Sequence, residues 1–167
     1  MTPTSESEST SAETSTERST DHADETGSTG FGGLGIDDRV LEAISDVGYE
    51  SPSPIQAATI PILMSGRDVV GLAQTGTGKT AAFAIPMIVK LLANPRSHSL
   101  ILTPTRELAT QVLDMIQKLL GKNSTIKTAL LIGGDSMQKQ LQQLRMRPRI
   151  IAGTPGRIND HLTRGTL

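Results

Sequence analysis

The chain of 167 residues has room for one domain and a tail. It contains no cysteine, which excludes disulfides, a thiolate metal site and a cysteine nucleophile. Aromatic residues are 2% of the chain, too few for a platform that stacks successive bases, and the net charge of −1 conceals an acidic end on a basic body.

The charge asymmetry marks the first boundary. Residues 1–30 carry seven acidic side chains against the single Arg18, and half of them are Ser or Thr. Their apolar side chains are Met1, Ala12 and Ala23, which cannot offset the entropy of ordering the segment. A disordered acidic tail is expected there, serving as a solvated spacer or as an interaction or phosphorylation segment. Residues 31–167 carry fifteen basic and ten acidic side chains and can bury a core. No apolar stretch approaches the roughly 18 residues of a membrane helix. The first residues lack the basic start and apolar run of a secretory signal, so a cytoplasmic protein with no membrane partner is expected.

Along the body, Ile36, Val40, Leu41, Ile44 and Val47 share one helical face, closed by Gly48. Ser53-Pro54 starts a second helix, which Pro61 should bend or end. Strands and helices then alternate. Strands are expected at 68–73, 99–103, 128–132 and 149–153. Helices are expected at 79–92, with Pro86 as an internal fault, at 107–120, at 138–145 and from 157. In the helix at 107–120, Leu108, Val112, Met115 and Leu119 share a face; in the next, Leu141 and Leu144 point inward. Short apolar strands alternating with helices imply an α/β fold, a parallel sheet flanked by helices.

Between the strand at 68–73 and its helix lies Ala73-Gln74-Thr75-Gly76-Thr77-Gly78-Lys79-Thr80. The glycines let backbone N–H groups turn around an anion, and the helix N-terminus adds partial positive charge. Lys79 would reach the β- and γ-phosphates, and Thr80 would ligate a nucleotide-bound Mg²⁺. Ala73 stands where the strict phosphate-loop pattern has glycine. A bare glycine-rich turn is the alternative. No Asn-Lys-x-Asp segment for reading guanine is present.

Upstream, Gly48-Tyr49-Glu50-Ser51-Pro52-Ser53-Pro54-Ile55-Gln56 resembles the Q motif of the DEAD-box RNA helicases, with Phe31 as that motif's isolated aromatic. The loop form Ala-x-Thr-Gly-x-Gly-Lys-Thr is that family's variant. Pro104-Thr105-Arg106-Glu107-Leu108-Ala109 resembles motif Ia, Gly133-Gly134 the GG motif and Thr154-Pro155-Gly156-Arg157 motif Ib. The resemblance covers residues 31–167 and implies an incomplete RecA-like P-loop domain that uses ATP and Mg²⁺ and binds RNA.

A glutamine amide offers a donor and an acceptor, which suits the adenine edge better than guanine, so Gln56 is the expected selector of ATP. The resemblance implies that Tyr49 stacks on adenine; for Phe31, and to a lesser degree Tyr49, core packing is the competing role. Thr105 and Thr154 each sit between a strand and a helix, and both helix N-termini should lie at the carboxyl ends of parallel strands, with Arg106 and Arg157 beside them. The resemblance implies that these segments, with Pro104, Pro155, Gly156 and the close-approach glycines Gly133 and Gly134, hold an RNA backbone; plain helix capping is the competing role. Such contacts carry no base information, so binding should be sequence-tolerant and salt-sensitive.

Other signals are discounted. His22, His98 and His161 lack metal-ligand spacing. Arg145, Arg147 and Arg149 form a basic run that could touch RNA, with a solvated charged edge the expected role. Asp135 lies in the GG segment and is not expected to bind Mg²⁺. The Asp-Glu-Ala-Asp segment that the family places after motif Ib does not occur before the sequence ends, ten residues after Arg157. The expectation is therefore an ATP-dependent RNA helicase by family and a chain that turns nothing over by itself. A sheet lacking later strands is expected to leave an open edge and a marginally stable, aggregation-prone chain. A phosphate-loop kinase is the remaining, less favoured class.

Overall fold

The computed structural model describes residues 30–167; the expected tail at 1–30 lies almost entirely outside them. A 3-10 turn at Phe31–Leu34 leads into α1 (Asp38–Asp46) and α2 (Pro54–Met64). Then come α3 (Lys79–Ala93), β1 (Ser99–Leu102), α4 (Arg106–Leu120), β2 (Thr128–Leu131), α5 (Met137–Arg145), β3 (Ile150–Gly153) and α6 (Pro155–Thr163).

The three strands are parallel in the order β1-β3-β2. Leu102 and Leu131 both register with Gly153, so the carboxyl ends of all three strands lie level. Successive side chains point to opposite faces, and each face has its own apolar cluster. Ile150 and Ala152 join the main core of Val40, Ile44, Ile60, Ile85, Ile88, Val112, Ile116 and Leu119. Ala129 and Leu131 pack on the other face with Ile158 of α6 and Leu144 of α5. Helices thus cover both faces, as the alternating pattern predicts.

Local signals explain the helix starts. Asp37 accepts the Arg39 N–H at the N-cap of α1. Ser53 and Gln56 form a capping box at α2, with Pro54 as its first residue. Thr105 accepts the Leu108 N–H at α4. Thr154 occupies the N-cap of α6 with Pro155 behind it, but its hydroxyl makes no capping hydrogen bond.

Three expectations need correction. No strand forms at 68–73; Val70 and Leu72 are over nine-tenths exposed. A strand needs a ladder partner, and none of the three described strands lies against this segment. Leu108 points away from the core, whose α4 contacts are Ala109, Val112, Leu113, Ile116 and Leu119. It lines a cavity of about 420 Å³ with Val69, Ile101 and Leu102. Both differences arise where β1 pairs on one side only, which also leaves Leu100 and Leu102 half-exposed.

Pro61 does not end α2, since the helix runs on to Met64. Its ring and the Ala57 residue one turn earlier are both exposed, so water can take the carbonyl that proline leaves unbonded. Arg149 is no solvated edge. Its guanidinium donates to the carbonyls of Leu91 (2.6 Å), Asn94 and Ser97, tying the start of β3 to the end of α3.

Candidate nucleotide- and RNA-binding site

The loop before α3 is shaped for an anion. Gly76 and Gly78 have φ of 82° and 88°, left-handed values that side chains resist. Gly78 is the N-cap of α3, so no side chain caps that helix, and its first turn has no acidic residue. These N-terminal N–H groups are unsatisfied donors of the kind a phosphate takes. Thr77 braces the loop by donating to the Gln74 carbonyl at 2.9 Å. The Lys79 ammonium donates across the loop to the Ala73 carbonyl. A cation, a helix N-terminus and the Thr80 hydroxyl behind them fit a nucleotide phosphate with its magnesium.

The Q-like segment is bonded to this loop. Gln56 is 1% exposed. Its Oε1 accepts the Ser53 N–H at 2.9 Å, and its Nε2 donates to the Gly78 carbonyl at 3.1 Å. Ser53 Oγ donates to the Thr77 carbonyl at 2.8 Å. A side chain at Gly78 would collide with the Gln56 amide. Gln56 therefore spends half its hydrogen-bonding capacity joining α2 to the loop, leaving one amide hydrogen and one lone pair for a ligand. Sequence reasoning missed this role of Ser53, because its partner Thr77 lies 24 residues away.

Phe31 is buried in the core, with its ring centroid 6.3 Å from that of the half-buried Tyr49 at 55° between planes. The two rings share a pocket of about 380 Å³ whose lining includes no residue of the phosphate loop. Packing, the competing role for Phe31, is what its burial displays.

A second set of residues gathers at the carboxyl ends of the strands. The Arg106 guanidinium lies over Gly133 and Gly134; a methyl group on Gly133 would come within 3.3 Å of Arg106 Nη2, and one on Gly134 would collide with Nη1. Gly134 has φ of 82°. The space that the two glycines open is thus filled by Arg106. Arg157 approaches the same turn, its Nη1 donating to the Asp135 carbonyl and to Gln140 Oε1, both at 3.2 Å. Its side chain is only 13% exposed. Motifs Ia, GG and Ib meet at this turn, whereas Pro104, Pro155 and Gly156 are exposed around it.

Gln140 and His161 escaped sequence reasoning. Both are fully buried, and His161 Nε2 lies 3.0 Å from Gln140 Oε1. They are 21 residues apart, so no local spacing announces them. Burial of the ring first, and the Arg157 guanidinium second, hold the His161 pKa below its ordinary value, against a smaller pull upward from Asp160. An unfolded histidine titrates near pH 6.5, roughly. Below that pH the unfolded chain takes up a proton that folded His161 resists, so stability falls as the solution is acidified. Melting temperatures recorded between pH 5 and 8 should be level above about pH 6.5 and drop below it, and His161→Gln should remove most of that drop.

With this geometry in place, comparison with known proteins assigns the chain. A family model described as DEAD/DEAH box helicase matches residues 53–167. The chain belongs to the DEAD/DEAH box helicase family. It is 54% identical over 138 residues to the ATP-dependent RNA helicase DeaD of Mycobacterium tuberculosis, covering 82% of this chain and 24% of that protein. It is 48% identical over 132 residues to the DEAD-box ATP-dependent RNA helicase RhpA of Helicobacter pylori, covering 79% and 27%. The chain thus spans about a quarter of the length of these relatives.

Among solved structures it is similar to a DEAD box protein from Methanococcus jannaschii, with a TM-score of 0.76 and 45% identity over 83% of this chain and 38% of that one. It is also similar to a hypothetical ATP-dependent RNA helicase from Sulfolobus tokodaii, with a TM-score of 0.71 and 35% identity over 79% and 38%. The parallel sheet flanked by helices is accordingly part of a RecA-like fold. No helix among the described residues is long and apolar enough to cross a membrane.

Proposed function

We propose that this chain supplies the ATP-binding elements and part of the RNA-binding surface of an ATP-dependent RNA helicase. The observation that carries the reading is the Gln56 amide, bonded to the Gly78 carbonyl at the mouth of the phosphate loop. One side chain suited to an adenine edge is thereby tied to the backbone suited to its phosphates. Residues 31–167 are proposed as the N-terminal part of the ATP-binding domain and residues 1–30 as a separate tail.

Lys79 and the N–H groups at 75–80 would hold the phosphates, Thr80 the magnesium, and Gln56 and Tyr49 the base. A magnesium ion held through Thr80 would offset phosphate charge. Lys79 would exchange the Ala73 carbonyl for a phosphate oxygen, a charge-assisted bond stronger than the one it replaces. Thr105, Arg106, Thr154 and Arg157 would face RNA phosphates, with Pro104, Gly133, Gly134, Pro155 and Gly156 shaping the surface. The cytoplasm, where ATP and RNA coexist, is the proposed place of action.

ATP is proposed to bind this chain without turnover. Transfer to water needs carboxylates to hold the metal and a group to orient the water. The residues following β1, β2 and β3 are Thr103, Ile132 and Thr154. The chain alone is therefore a nucleotide-binding module.

Binding of labelled single-stranded RNA across 50 to 200 mM salt tests the RNA half. Affinity should fall with salt, differ little between uridine and adenosine oligomers, and lose roughly 0.7 from its log–log salt slope in Arg106→Ala. Salt-independent binding, or strong preference for one sequence, would contradict it.

A further inference from the structure

We infer that Gln140 and His161 are positioning residues that hold the Arg157 guanidinium in one pose beneath the Gly133–Asp135 turn. The bearing of that pose on RNA rests on the reading above; the pose itself does not.

The donors and acceptors fix the arrangement around Gln140. The Ile132 carbonyl can only accept, and the Gln140 amide lies 2.8 Å from it, so Nε2 faces that carbonyl. Oε1 then faces the other way and meets Arg157 Nη1 at 3.2 Å and His161 Nε2 at 3.0 Å. Arginine only donates, so Oε1 is the accepting partner of both. His161 must therefore carry a proton on Nε2, and its Nδ1 lies 2.9 Å from Thr166 Oγ1, whose single hydroxyl proton also has the His161 carbonyl within reach at 3.1 Å. Bonds therefore run in series from His161 through Gln140 to Arg157, with Thr166 against the far side of the ring.

An apolar contact would serve α5 and α6 as packing, as Leu131, Ile158 and Leu144 already do beside it. Two fully buried polar side chains are a costly substitute unless their bonds do something else. The chain ends at Arg157, whose remaining restraints are weak. Its Nε is buried without a hydrogen-bond partner, 3.6 Å from an Asp160 carboxylate that is 60% exposed. The Asp135 carbonyl and Gln140 Oε1 are thus the two groups that hold the fork. His161 fixes the second of them by giving Oε1 another donor. Without it, the amide loses one of the restraints on its orientation.

The test uses the full chain, ¹⁵N-labelled, and the Arg157 Nε–Hε resonance, assigned by its disappearance in Arg157→Lys. A buried Nε–H should give a sharp, exchange-protected signal. His161→Leu should broaden it or expose it to exchange, while His161→Gln, which keeps a donor near the Nε2 position, should retain it. Labelled decauridylate should bind about tenfold more weakly to Arg157→Ala and about threefold more weakly to His161→Leu, with no further loss in the double variant.

An unchanged, protected resonance in folded His161→Leu overturns the positioning role, whatever the RNA affinity does. A lost resonance with unaltered RNA binding in Arg157→Ala upholds the positioning role and overturns the RNA reading of Arg157. If His161→Leu does not fold, Thr166→Val reads the same signal: weakened protection supports the chain of bonds, and full protection overturns it.

Discussion

Replacing Lys79 with alanine should weaken ATP binding by about a hundredfold, the range of one or two hydrogen bonds from a charged donor. The ammonium bonds to the Ala73 carbonyl within its own loop, so it is already held over the concavity that a phosphate would enter. Little side-chain entropy remains to be lost on binding. Alanine keeps the first residue of α3 helical, and the loop retains Gly76, Gly78 and the Thr77–Gln74 bond. The loss should therefore fall on affinity and leave the circular-dichroism spectrum unchanged. Affinity within twofold of the parent chain, read by titration with a fluorescent ATP analogue, would remove Lys79 from the site.

Arg149→Ala should cost about 3 kcal/mol, the largest stability effect expected of any surface-charge substitution in this chain. Its guanidinium satisfies the carbonyls of Leu91 and Asn94 at the end of α3, and that of Ser97 just before β1. Those carbonyls lie where a helix has no partners of its own and where its dipole favours a cation. Removing the side chain also unties the start of β3, the central strand, from the end of α3. Arg145, exposed on the same basic run, is the control and should shift stability by under about 0.5 kcal/mol when replaced. Urea unfolding midpoints distinguish the two; equal shifts would deny Arg149 its capping role.

These two residues also mark where the sequence was readable and where it was not. Lys79 sits in a local pattern whose spacing is its chemistry, and its helix follows from the same eight residues. The helices α3 and α4 emerged within a residue or two of their expected ends because their apolar faces and caps are encoded locally. The capping box at Ser53 and Gln56 was equally local, though its second job, bonding to the phosphate loop, spans 22 and 24 residues and was not visible.

Where the outcome depended on partners distant in sequence, the reading failed. Residues 68–73 are apolar enough for a strand, but a strand exists only when another lies beside it. Arg149 looked like its neighbours Arg145 and Arg147, and only the fold brings it to the end of α3 across more than fifty residues. The glycines at 133 and 134 were expected to give an RNA backbone close approach. The approaching group is Arg106 of the same chain, which composition alone could not supply.

The central claim is that Gln56 and the loop after it form one adenine nucleotide site. Titrating the chain with matched fluorescent ATP and GTP analogues in the presence of Mg²⁺ tests it most directly, with Gln56→Ala alongside. The account predicts saturable binding that favours ATP by about tenfold or more, with that preference lost in Gln56→Ala. Equal affinity for the two nucleotides, or a preference that survives the loss of Gln56, would contradict it.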